Sequence, residues 1–397
     1  MRKIVFLRLF HWDKRVADCI HIKRKGERTD LKNRNFMKKS EKMKAGILAE
    51  LVIFVVVLCV VAGRNYMYKR TVPTMYGQSV EGTEESAGSD GKKDFIRWVD
   101  FTVTCEALDT AYEWDVNTYG ANIHIDWIDL LALEAAKCGG DFSESAVADM
   151  DALAQKLADG TTTLKTESET LKYYTYYRDA YTAVLGGLVG EYEMQKPKKD
   201  GTAAYQKAYG LKGFSPIAKG FEYRDYDDFG VSRTYGFARE HLGHDMMGQI
   251  GTPVIAVESG YVEALGWNQY GGWRIGIRSF DHKRYYYYAH LRQDYPYAEW
   301  LKEGGTVKAG DVIGYMGHTG YSKAENVNNI DEVHLHFGLE LIFDESQKDS
   351  DNEIWVSCYE LTRFLKKNQM EVRKITGTKE WERCYDMKKS LYNSGGN

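Results

Sequence analysis

Seven of the ten histidines in this 397-residue chain fall between His241 and His336. Chance would scatter them, so this stretch is where chemistry is expected. Five of them form three groups: His241-Leu-Gly-His244-Asp245, Tyr288-Ala-His290-Leu291 and His334-Leu-His336-Phe337. Side chains alternate faces along a strand, so His334 and His336 share one face, their α-carbons roughly 6.6 Å apart at ~3.3 Å per residue. His241 and Asp245 supply a nitrogen and an oxygen donor from a second segment, and Gly243 between them is expected to let the chain bend. Two imidazoles and a carboxylate, with a fourth position left for water, make the donor set of a hydrolytic zinc site; structural sites are usually closed by four protein ligands. His282 and His318 stand in turn-like contexts and are expected to be solvated, and His244 is given no role.

Other chemistries find little support. The chain has no HExxH, no GxSxG and no CxxC, which removes thermolysin-like peptidases, serine hydrolases of the elbow type and thiolate zinc sites. Its one SxxK, Ser89-Asp-Gly-Lys92, sits in a polar stretch with no core to hold it. Hydrophobic residues at 43% allow real cores, and charged residues at 28% exclude a polytopic membrane protein.

The elements that must position these groups change character along the chain. Residues 96–195 read as an all-α middle domain of unassigned role, because WIDLLALEAAKCGG, AVADMDALAQKLADG and AYTAVLGGLVGEYEM place apolar side chains three and four apart. Gly139-Gly140 and Gly160 stand where helices should stop, and the tyrosines of TLKYYTYYRDAYTAV are expected to be core. Residues 196–201 read as a linker. Short β-branched or aromatic runs then follow (TPVIAVESGYVEALGW, WRIGIRS, RYYYYAHLR, DVIGYMG, VHLHFGLELIF), the pattern of a mostly antiparallel β domain over 201–375 with its core at 230–343. Residues 353–371 read as a closing amphipathic helix and 376–397 as a tail. Of Tyr285 to Tyr288, alternate rings are expected to line a groove or to pack inward.

Ahead of these bodies the chain reads as a membrane protein. Residues 1–45 carry fifteen Lys/Arg against five Asp/Glu, a net +10, which leaves -14 on the remainder. Residues 46–63, GILAELVIFVVVLCVVAG, span about 27 Å as a helix, close to one hydrocarbon core. The basic excess predicts a single-pass transmembrane helix with a cytoplasmic N-terminus and everything after the flexible stalk at 64–95 outside the cell. Anionic lipid, not nucleic acid, is the expected partner of the basic head. A long cleaved leader is the rival reading. Cys105, Cys138, Cys358 and Cys384 allow two disulfides, Cys105–Cys138 and Cys358–Cys384, and equally four free thiols.

Five ordered motifs give residues 230–343 a resemblance to a known family. His241-Leu-Gly-His-Asp245, Gly251-Thr-Pro-Val254, Tyr288-Ala-His-Leu291, Val307-Lys-Ala-Gly-Asp-Val-Ile-Gly-Tyr-Met-Gly317 and His334-Leu-His-Phe337 are similar to the signature of the LytM/lysostaphin-type zinc endopeptidases, peptidase family M23. The resemblance implies a LytM-like catalytic domain that cuts peptide bonds of peptidoglycan, with one Zn2+ on His241, Asp245 and His336. It makes His290 and His334 the catalytic groups; His334 is the candidate base and proton shuttle and His290 the group on the oxyanion or the water, roles that could be exchanged. Zinc of this kind brings the pKa of water to about 7. The family usually runs straight from the Thr-Gly turn into HLH, whereas residues 321–333 intervene here, which predicts an enlarged groove wall. A catalytically inactive scaffold of the same fold, binding cell wall or partner hydrolases, is the alternative; such members typically lose metal ligands, and this chain keeps all three.

Overall fold

The computed structural model describes residues 95–197, 203–234, 238–348 and 350–389. The basic head, the apolar run 46–63, the stalk to residue 94, Cys19, Cys59 and residues 390–397 lie outside the described residues. Among the described residues no helix is long and apolar enough to cross a membrane.

Helices come first: α1 (Cys105–Thr118), α2 (Trp127–Cys138), α3 (Glu144–Ala158), α4 (Leu164–Ser168) and α5 (Tyr174–Leu185). Short polar side chains start four of them by accepting from free backbone N–H groups: Thr104 from Ala107, Asp126 from Ile128 and Asp129, Ser143 from Ala146 and Thr163 from Thr166. Gly139 ends α2 at φ 70°, a left-handed position that suits glycine. The expected helical spacing holds, since Leu108, Leu131, Met150 and Leu153 are all buried. Of the tyrosine stripe, Tyr177 and Tyr181 are core and Tyr173 is exposed.

The strands are β1 (Val189–Pro197), β2 (Ala203–Leu211), β3 (Arg224–Asp225), β4 (Ser232–Thr234), β5 (Ala238–Glu240), β6 (His244–Met247), β7 (Pro253–Ile255), β8 (Gly260–Asn268), β9 (Gly272–Ser279) and β10 (Arg284–Ala289). After them come β11 (Thr306–Val307), β12 (Val312–Tyr315), β13 (His334–Leu341), β14 (Ile354–Val356), α6 (Tyr359–Leu365), β15 (Val372–Lys374), β16 (Trp381–Arg383) and β17 (Met387–Lys389). The main sheet runs β11-β8-β9-β10-β13-β6-β3 with β14 also on β13, and the pairings within it are antiparallel, as the sequence predicts.

Four expectations need correction. The helical pattern stops at Leu185, and residues 189–197 are strand β1, paired with β2 on one side and β17 on the other. Gly186-Gly187 breaks the helix, and the alternation of Glu191, Tyr192, Glu193 and Met194 then finds partners from distant segments. Lys196 and Pro197 therefore close a strand; they do not link two bodies. The closing helix is only α6, because Ile354, Trp355 and Val356 pair with Leu341, Glu340 and Leu339 of β13. Residues 376–389 are more than a tail, since they hold β16 and β17. All four described cysteines are free thiols.

Helices and sheet share one apolar cluster that runs from Leu108 and Leu131 through Phe364 to Phe337 and Leu339. The Phe364 ring sits 5.6 Å from Tyr112 and 5.9 Å from Trp127, centroid to centroid. A buried arginine fastens the layers. Arg284 of β10 donates from Nη1 to the Ala183 carbonyl of α5 at 2.8 Å, from Nε to Glu258 at 2.8 Å and from Nη2 to Asp281 at 2.8 Å.

Candidate metal centre

Strand register builds the site. In the β13–β6 pair His336 lies directly opposite Asp245, and on its other side His336 faces Ala289, the residue before His290. His241 precedes β6 and is fixed at its backbone, its N–H bonded to the Val231 carbonyl at 3.0 Å and its carbonyl to Gly230 N–H at 2.8 Å. All five residues singled out in the sequence converge on one cleft of about 550 Å³.

His241 Nε2, Asp245 Oδ1 and His336 Nδ1 form a near-equilateral triangle. The edges are 3.0 Å (His241 to Asp245), 3.1 Å (His241 to His336) and 2.9 Å (His336 to Asp245). Three electron-pair donors this close need a cation among them, a proton or a metal ion. A tetrahedral zinc with bonds of ~2.0–2.1 Å sets its ligand atoms about 3.3 Å apart, so the donor set and its spacing fit zinc. Burial alone would raise the Asp245 pKa. Hydrogen bonds from His241 and His336, with the charges of the imidazoles, outweigh it and hold the carboxyl far below the ordinary range.

Gly243 works differently from the expectation. Its φ is not in the left-handed region; a Cβ there would come within 2.5 Å of His336 Cε1 and 2.9 Å of the Phe337 carbonyl. The glycine makes room for a ligand ring, with no need to bend the chain. Gly243→Ala is accordingly expected to displace His336 and weaken metal binding roughly 10- to 100-fold, in the range seen for lost outer partners of a site. Competition with a fluorescent zinc chelator measures this, and an unchanged affinity would refute it.

His290 and His334 stand beside the triangle, their ring centroids 4.7 Å apart, with His290 5.7 Å from His336. His290 Nδ1 lies 2.9 Å from the Thr319 carbonyl, and His334 Nδ1 lies 2.9 Å from the Glu332 carbonyl. A carbonyl only accepts, so each Nδ1 carries a proton, and the neutral form of either ring would keep its lone pair on Nε2. Burial, reinforced by the neighbouring charges of His334 and His336, pushes the His290 pKa well below the usual value and keeps that ring neutral. His290 holds φ at +60°, a strained value for a histidine at the end of a strand. Its N–H is held by the Gly271 carbonyl at 2.7 Å.

Two groups at the centre had no sequence signal. Asp228 puts Oδ1 3.1 Å from His241 Nδ1, while its own carbonyl sits 3.2 Å from the same nitrogen. The hydrogen bond goes to that main-chain carbonyl, which orients the ring, while the carboxylate stands beside it as a neighbouring negative charge. Arg233 Nη2 bonds to Asp228 Oδ2 and approaches Asp245 Oδ2 at 3.3 Å, which leaves Oδ1 turned to the imidazoles. The remaining histidines are elsewhere. His244 is buried on the opposite face against Thr362 Oγ1 at 2.7 Å, and His282 is exposed. His318 is half-buried, contrary to expectation, because its Nδ1 anchors the Ile330 carbonyl at 2.7 Å.

The intervening residues 321–333 do form cleft wall, through Tyr321, Asn329, Ile330, Asp331 and Glu332. Asn326 pins the segment, accepting from Trp273 Nε1 and Asp294 N–H at 2.9 Å each and donating to Asp294 Oδ1 at 2.7 Å. Of the four tyrosines of β10, only Tyr287 lines the cleft; Tyr286 and Tyr288 are fully buried and Tyr285 nearly so.

An antiparallel sheet that presents a His/Asp/His triangle and two base-ready imidazoles in an open cleft has the make-up of a metallopeptidase domain. Residues 239–349 match the model of Peptidase family M23. Over 124 residues the chain is 39% identical to the L-Ala–D-Glu endopeptidase of Bacillus subtilis, covering 31% of this chain and 36% of that protein. Over 135 residues it is 33% identical to the glycyl-glycine endopeptidase ALE-1 of Staphylococcus capitis, covering 34% of this chain and 32% of that protein. The catalytic domain of lysostaphin from Staphylococcus simulans is 36% identical over 30% of this chain and 80% of that one, with a TM-score of 0.25. The chain thus spans about a third of the length of the curated relatives it matches. The family match and the relatives together support the peptidase M23, LytM/lysostaphin-type family for this segment.

Proposed function

We propose that this protein is a zinc-dependent endopeptidase that hydrolyses peptide bonds of peptidoglycan, held at the outer face of the cytoplasmic membrane by residues 46–63. The observation that carries the reading is the triangle of about 3 Å edges closed by His241, Asp245 and His336 beside two imidazoles with free Nε2 atoms. Zinc, once held by those three residues, supplies a Lewis acid and a water acidified to near neutral pH.

The chain's own groups do the rest. His334 offers Nε2, 3.8 Å from Asp245 Oδ1, to take a proton from the attacking water and pass it to the leaving amine. His290, neutral and locked by Thr319, suits the orientation of that water; it donates to an oxyanion only after gaining a proton itself. Asp228 keeps His241 facing the centre, and Arg233 keeps Asp245 presenting one oxygen.

Support for a wall substrate comes from the names of the relatives, which specify an L-Ala–D-Glu bond in one case and a glycyl-glycine bond in the other. The test is digestion of purified peptidoglycan by the zinc-loaded full chain, with a chelated control, followed by mass spectrometry of the released muropeptides. New amino termini that disappear on chelation are expected and identify the bond. A fully metallated protein that releases nothing from walls of several cross-link types would overturn the proposal.

A further inference from the structure

The β4–β5 hairpin sets Arg233 directly opposite Arg239, and both side chains line the cleft. Like charges opposite one another on a two-stranded ribbon repel, so such a pair needs counter-charge. Arg233 has it twice over, from Asp228 and Asp245. Arg239 has no carboxylate in contact: among the described residues none lies within ion-pair distance, Asp245 acts on it only from further off, and its buried Nε finds no acceptor. Its Nη2 donates to the Tyr321 hydroxyl, and its guanidinium lies over the Tyr321 ring at 5.1 Å. Both partners are neutral and both come from one residue of the inserted segment 321–333. Arg239 is therefore held in place by Tyr321 with no carboxylate touching its guanidinium.

The cleft is polarised as well. Asp331 and Glu332, both exposed, line it from the insert. They disfavour an anion on their side and leave the hairpin side as the place where one can sit. An arginine suits that task, since its planar fork matches a carboxylate and such charge-assisted bonds are roughly twice as strong as neutral ones.

We infer that Arg239 recognises a free carboxylate on the substrate, so that the cleft selects peptides with an acidic residue next to the scissile amide over neutral ones such as polyglycine. The inference rests on the reading of this cleft as the substrate groove of an endopeptidase. It assigns a further role to the insertion, which positions Arg239 through Tyr321.

The test compares two synthetic peptides that differ by one charge: L-Ala-γ-D-Glu-L-Lys-D-Ala, and the same peptide with the D-Glu α-carboxylate converted to a carboxamide. Affinities are measured by calorimetry on the full chain carrying His334→Ala, and hydrolysis is followed in parallel on the unaltered chain. The acidic peptide should bind at least about tenfold more tightly. Adding Arg239→Gln should bring the ratio near unity with metal content and melting curve retained, and Arg239→Lys should keep part of it. Equal affinities with Arg239 present, no measurable binding of the acidic peptide, or a ratio that survives Arg239→Gln would each overturn the inference. Hydrolysis of neither peptide would count against the peptidase reading, while the affinity ratio still decides the role of Arg239.

Discussion

Replacing His336 with Ala should remove the metal from the protein and its hydrolytic activity together. The imidazole is one corner of the triangle, and without it His241 and Asp245 are left as two donors on one side of the ion. Losing an outer partner of a metal site already costs roughly 10- to 100-fold in affinity, and losing a ligand should cost more. Elemental analysis after dialysis against zinc should find the normal complement in the unaltered chain and background in the variant. A second readout needs no substrate. Zinc at ~1,000 times its Kd should raise the stability of the unaltered protein by about 4 kcal/mol, and that increment should vanish in His336→Ala. Full metal content and turnover in the variant would show that the triangle is not the binding site.

Arg284→Ala should destabilise the fold by about 3–5 kcal/mol, the usual cost of stripping one partner from a buried ion pair. The side chain is 1% exposed and its donors are all engaged. Truncation leaves Glu258, which already accepts from Tyr286 Oη at 2.8 Å, as a largely enclosed carboxylate (12% exposed) without its cation. It also strips the Ala183 carbonyl at the end of α5 of its donor. Urea denaturation of the full chain measures the loss, and a change below about 1 kcal/mol would mean that the pair is not held as described. Because Arg284 begins the strand that ends one residue before His290, turnover should fall as well, even at temperatures where the variant stays folded.

The site was legible because its chemistry is local. HLH placed two rings on one face of a strand, and HLGHD placed a nitrogen and an oxygen four residues apart; strand register then brought the two segments side by side. Asp228 was not legible. It lies in a loop among other acidic residues, and only the three-dimensional path back to His241 Nδ1 distinguishes it from Asp227. Gly243 was noticed for the wrong reason, since the ring it accommodates comes from a residue 93 positions away. Among the elements, helices with caps and glycine stops were readable from sequence. The β1–β2 ribbon was not, because its edge partner β17 comes from nearly two hundred residues downstream and outweighs the local pattern.

The fastening of α5 to β10 also decides where this chain can be trimmed. A fragment beginning at residue 201 would lose β1, on which both β2 and β17 lean, would strip Phe364 of Tyr112 and Trp127, and would take the Thr182 and Ala183 carbonyls from Arg284. The helices are therefore part of the same folded body and no detachable cassette. A shortened version meant for crystals or for lytic use should begin ahead of Val99, whose side chain already belongs to the interior.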